Sequence, residues 1–183
     1  LYNPLRKIMK SLEDYLLKFN IPIDDWGKGS AKTISHLLKE IIRGETKLVV
    51  ENNNLIREVS ALSIIVTYKD LRLIEDHQEF NDGRKRKRKM EASVAEKLDK
   101  DDRDLTNAVK RGLKEELEIS ISEDQISKLE DTSKFRESMS YPGIMSRVVL
   151  FRFHVELNED QFKSEGYTEI QDDKKTIFKW IKK

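Results

Sequence analysis

Glu115, Glu116 and Glu118 close the stretch AVKRGLKEELEI, residues 108–119, and their placement is chemically awkward. Apolar spacing predicts a helix over 105–117, and a helix C-terminus carries partial negative charge, which favours Lys or Arg there over carboxylates. At about 100° per residue, Leu105, Ala108, Val109 and Leu113 form the apolar stripe of that helix. Gly112 and Glu116 fall inside the stripe, and Glu115 lies on its edge beside Ala108. An unpaired carboxylate in the middle of a buried face is costly. Either the helix unwinds before Glu116, or Glu116 faces a cavity, a cation or a basic partner. A pair of carboxylates on one helical face beside a cleft is what a magnesium site requires. A cation there would also cancel the unfavourable dipole interaction. The plain structural alternative is a frayed last turn with both side chains in water.

AVKRGLKEELEI resembles the second half of a Nudix box. That motif runs Gly, five residues, Glu, seven residues, then Arg-Glu-apolar-any-Glu-Glu-any-Gly-apolar. Arg111, Leu113, Glu115, Glu116 and Ile119 fit it, whereas Gly112 replaces the first glutamate of the Arg-Glu pair and Glu118 replaces the closing glycine. Arg103 stands where the upstream glutamate belongs and Lys97 where the first glycine belongs; Asp101 or Asp102 could serve after a slip of one or two residues. The resemblance to the Nudix hydrolase superfamily implies an α/β/α sandwich with a mixed sheet, in which the box forms a loop–helix–loop. It also implies that Glu115 and Glu116 hold Mg²⁺ or Mn²⁺ against a substrate diphosphate while water attacks a phosphorus. One of the two would assist the water, and Arg111 would be structural or orient a glutamate. The family helix carries three acids at i, i+3 and i+4, and this one carries two. Glu96, Glu165 or Glu169 could supply the third, and the sequence places none of them.

The elements that must position these residues read as follows. Residues 2–19 and 31–43 have helical apolar stripes, with Ser30 expected as N-cap of the second and Gly44 as its left-handed C-cap. Residues 46–51, 55–68, 71–80 and 147–157 read as strands; the NNN at 52–54 and the NDG at 81–83 are turn signals. TIFKWIKK at the end suits a strand or a short helix. The expected class is α+β, with a helical N-terminal segment over 1–45 and a Nudix-like domain with a mixed sheet over 46–183.

The 183 residues suit a single domain of ordinary size, alone or with a small extension. Charged residues make up 38% and apolar ones 37%, so the surface is densely charged while enough Leu, Ile, Val and Phe remain for a core. A formal charge of +1 means that any nucleic-acid or membrane attraction must come from a local patch. The absence of cysteine excludes disulfides, thiolate catalysis and cysteine-bound zinc. No apolar run approaches the length of a membrane span, and an intracellular, cytoplasmic or nuclear location is expected. A start at Leu1 rather than Met reads as a fragment whose leader could be missing.

RKRKRK at 84–89 is a solvated loop or strand edge, a nuclear-localisation patch, or a phosphate-binding surface. Its place before the box loop would let Arg84, Arg86 and Arg88 meet the diphosphate. Tyr141, in the turn SYPGIMS, is a candidate for base contact. GKGSAKT at 27–33 lacks the second glycine of a P-loop and is one residue short, so it reads as a turn. His36, His77 and His154 have no metal-ligand spacing, and Trp26 and Trp180 read as packing residues. Two functions follow: a magnesium-dependent hydrolase of a nucleoside diphosphate linked to another moiety, or a catalytically inactive Nudix-like binding or scaffold module for nucleotide, RNA or a protein partner. The oligomeric state stays open.

Overall fold

The computed structural model describes residues 4–183. Tyr2 and Asn3, the first residues of the expected 2–19 helix, lie outside the described residues. In chain order come α1 (Pro4–Lys18), α2 (Ile34–Arg43), β1 (Lys47–Glu51), β2 (Asn54–Tyr68), β3 (Leu71–Phe80), β4 (Lys85–Arg86) and β5 (Val94–Lys97). They are followed by α3 (Leu105–Leu117), β6 (Ile126–Lys128), β7 (Thr132–Glu137), β8 (Met145–Glu156), β9 (Tyr167–Ile170) and β10 (Lys174–Lys182). Among the described residues, three α-helices and a mixed sheet make the α+β class expected from the sequence. No described helix is long and apolar enough to cross a membrane. The chain divides into two compact units, 1–60 with 97–101 and 133–149, and 61–96 with 102–132 and 150–183.

In the first unit, α2 begins at Thr33 rather than at the expected Ser30. The Thr33 hydroxyl accepts from the His36 backbone N–H, and His36 Nδ1 accepts from the Thr33 N–H, so the two close a capping box. His36 is thereby a capping residue. Gly44 ends α2 at φ 73°, the left-handed C-cap that its position promised. The Asn52–Asn53 turn, both residues at positive φ, joins β1 to the first part of β2. Leu16, Ile21, Trp26, Leu37, Leu55, Tyr141 and Ile144 form the core, and Trp26 Nε1 donates to the Pro142 carbonyl at 3.0 Å. Buried within this unit, Glu40 accepts from Lys32 at 2.6 Å, Arg57 at 2.8 Å and the Thr46 hydroxyl at 3.0 Å.

In the second unit the strand order is β6-β8-β2-β3-β10-β9, with β5 paired to β2 and β4 to β3. β3–β10, β10–β9 and β6–β8 are antiparallel. β2 and β8 run parallel, since both reach their C-terminal ends where the Leu157 N–H donates to the Thr67 carbonyl at 2.8 Å. Thr67 also meets His154 Nε2 at 2.7 Å, which gives that histidine a hydrogen-bonding role on the polar side of β8. The NDG turn closes the β3–β4 hairpin as its sequence promised. Residues 174–182 resolve to a strand.

A β-bulge shapes the floor of this unit. Glu75 faces Phe178 and Gln78 faces Thr176, so Asp76 is the extra residue between them. Glu75 faces inward by alternation with buried Leu73, and the phase shift brings Gln78 onto the same face; they are 7% and 2% exposed. Thr176 in turn faces Glu169 on β9. Strands should bury apolar residues on such a face; here a row of polar side chains lies across it instead.

Candidate functional site

α3 is a helix because its start is capped and one face is apolar. Asp104 caps it, accepting from the N–H groups of Thr106 at 2.9 Å and Asn107 at 3.2 Å. Ala108, Val109, Gly112, Leu113 and Leu117 are buried. The helix therefore does not unwind before Glu116. It ends at Glu118, a non-glycine residue at φ 58°, ψ 25°. The Glu118 and Ile119 N–H groups return to the Lys114 and Leu113 carbonyls, the closure that the family's glycine would make without strain.

Glu115 and Glu116 diverge. The Glu115 side chain is 61% exposed, with Arg111 Nε at 4.0 Å. Glu116 is half-buried, and its carboxyl is raised from about 4.5 to about 8. Burial is the largest cause, followed by the like charges of Glu169 and Glu96; Arg88 opposes them and Glu75 adds to them. Glu116 thus faces both a concentration of carboxylates and a basic partner.

That partner comes from the basic run. Arg88 grips buried Glu75 with two donors, Nε at 2.9 Å and Nη2 closer still. Arg84 instead bonds Asp82 at 2.6 Å and lies 5.0 Å from the Phe80 ring centre. Arg86 is exposed on β4. Of the three arginines, Arg88 is the one that reaches the carboxylates. Tyr141 is a wholly buried core residue of the first unit, with Trp26 at 5.1 Å and Arg57 at 5.0 Å, which leaves no ring face open to a base.

Arg111 joins the acids of α3 to those of the preceding loop. Its Nη1 donates to Asp102 at 2.5 Å, and its Nη2 lies 3.6 Å from Glu96 Oε1. Asp102, named from the sequence for a slipped box position, is thus held by the box arginine. Glu96, on β5, has its other oxygen, Oε2, buried with no hydrogen-bond partner. That oxygen would lie 2.6 Å from a Cβ placed on Gly112. Of the three acids left open by sequence, Glu96 and Glu169 act on Glu116. Exposed Glu165 accepts from the Ser164 hydroxyl.

The donor chemistry suits a hard divalent cation, since the acceptors gathered here are carboxylates and one oxygen is buried without a hydrogen-bond partner, although Arg88 and Arg111 already stand among them. The carboxylates are gathered rather than converged. Among the described residues, no group of three or more acidic or histidine side chains already meets at one point.

Sequence reasoning missed Glu75, although period-two alternation from Leu73 places it on the buried face.

No family profile matches the sequence, and no curated protein matches it. Among solved structures the chain is similar to a C. elegans Ap4A hydrolase, at 16% identity over 67% of this chain and 79% of that one, with a TM-score of 0.37. A binary complex of a C. elegans Ap4A hydrolase gives 18% identity, the same coverage and a TM-score of 0.38. A MutT/nudix family protein from Enterococcus faecalis gives 14% identity over 82% of this chain and 51% of that one, with a TM-score of 0.43. The mixed sheet, with a helix that enters from a loop and leaves through a left-handed turn, is of the α+β class.

Proposed function

We propose that this chain is a divalent-metal-dependent hydrolase of a nucleoside diphosphate linked to another moiety. The observation that carries this reading is half-buried Glu116 under the like charges of Glu169, Glu96 and Glu75, together with a Glu96 oxygen that is buried without a hydrogen-bond partner. So many carboxylates together are costly to fold unless a cation offsets them. Glu115 and Glu116 on α3 would hold Mg²⁺ or Mn²⁺, as the resemblance implies. The ion would neutralise diphosphate oxygens and lower the pKa of a bound water. Arg111 holds Asp102 and stands beside Glu96 and Glu115, so its part is to orient carboxylates. Arg84 and Arg86, exposed on the hairpin before the box, are available to substrate phosphates.

The test is a hydrolysis screen of nucleotide sugars, ADP-ribose and capped RNA with Mg²⁺ and with Mn²⁺. Metal-dependent turnover that disappears in Glu116→Gln supports the reading. No turnover of any of these classes opposes it.

A second reading has its own observation. Arg88, bonded twice to Glu75 and facing Glu116, gives the cluster a cation from within the chain. On that reading the domain is a catalytically inactive module, and the exposed cations of the basic run bind nucleotide, RNA or an acidic protein partner. Retained binding of a nucleotide to a protein that hydrolyses none would favour it.

A further inference from the structure

We infer that Glu96 serves as the third acid of α3, and that residue 112 is glycine because the Glu96 carboxylate fills its side-chain space. This rests on the metal-dependent reading above.

Three observations support it independently of any titration. A Cβ on Gly112 would stand 2.6 Å from Glu96 Oε2, well inside contact distance, so the carboxylate lies at the root of an absent side chain. That oxygen is buried and has no hydrogen-bond partner, an expensive arrangement for a carboxylate. The other oxygen lies 3.6 Å from Arg111 Nη2, so the carboxylate is steered from one side and left without a hydrogen-bond partner on the other.

The position is the informative part. Residue 112 stands three residues before Glu115 and four before Glu116, and on a helix such residues share one face. An acid seated over residue 112 therefore has the i, i+3, i+4 relation to Glu115 and Glu116 that a helical glutamate at 112 would have. Both of those glutamates are charge neighbours of Glu96. The strand thus supplies from β5 what α3 lacks. Glycine in a helix interior is less stable than alanine, and the space it leaves for Glu96 is the reason to keep it.

Because Glu96 Oε2 is the far end of a flexible side chain, Gly112→Ala should displace the carboxylate and leave the fold intact. The experiment is a Mn²⁺ titration followed by electron paramagnetic resonance. It compares the full chain, Glu96→Gln, Gly112→Ala, and the exchange variant Glu96→Ala with Gly112→Glu. Thermal melts check that each folds. The expected result is a loss of Mn²⁺ affinity of at least about tenfold in each single variant. The exchange variant should recover to within about threefold of the unmodified chain, as a coupled pair in a double-mutant cycle does.

Glu96→Gln binding Mn²⁺ as tightly as the unmodified chain overturns the inference and leaves the metal-dependent reading standing on Glu115 and Glu116. An exchange variant that recovers nothing overturns the claim that the two carboxylates share one place. An unmodified chain that binds no Mn²⁺ overturns the metal-dependent reading and this inference with it.

Discussion

Glu116 is where the physical chemistry of this chain is most exposed to measurement. Its carboxyl is raised to about 8, chiefly by burial and then by Glu169 and Glu96. A raised folded value means that the native state holds its proton where the unfolded chain, near 4.5, has already released it. The contribution of Glu116 to stability is therefore greatest below about 4.5 and is lost as pH rises through about 8. In chelator, urea denaturation at pH 5 and at pH 9 should show this loss in the unmodified chain. Glu116→Gln should remove it and be the more stable of the two at pH 9. Arg88 sets a second expectation. Arg88→Ala leaves Glu75 buried and unpaired, which should cost about 2–3 kcal/mol after allowing for the partial exposure of the arginine. A double variant that also carries Glu75→Gln should recover part of that, read from the shift in urea midpoint.

Among the elements, α3 was the most legible. Its stripe, its length and the inward position of Glu116 all follow from spacing over 105–117, because a helix is a local structure with a fixed period. β2, β3, β8 and Gly44 were equally readable, from β-branched runs and from a turn residue in its place. β5, β6, β7 and β9 were not. They are 3–6 residues long, too short for a period to show, and their polar residues hide the pattern. The N-cap of α2 was missed because Ser30 and Thr33 are both good caps, and only the His36 side chain selects Thr33. Substitution at Glu118 tests how α3 ends. A non-glycine residue in the left-handed region is strained by about 1 kcal/mol. Glu118→Gly, which restores the glycine of the family pattern, should stabilise the chain by a similar amount, read as a rise in melting temperature. The buried Glu40 of the first unit gives an expectation of opposite sign. Burial pushes its carboxyl up, but Lys32, Arg57 and Lys97 outweigh that and hold it at about 2. Its contribution is present above about 4.5 and is lost as pH falls toward about 2. Glu40→Gln should flatten acid unfolding over that window.

At the scale of the whole molecule, the sequence carried the α+β class, the helix over 105–117 and the inward position of Glu116 on it. What it could not carry was tertiary. Glu96 reaches Gly112 from a strand that the sequence hid, Glu169 comes in on β9 some fifty residues after α3, and Glu75 lies on the buried face of β3. The carboxylates at the unfavourable end of α3 make sense if a cation comes to them. The direct measurement is calorimetric titration of Mg²⁺ and Mn²⁺ into the purified chain, with Glu115→Gln, Glu116→Gln as the control. Saturable binding that vanishes in the double variant is the predicted result. No binding at millimolar metal would contradict it, and would leave Arg88 as the cation of this site.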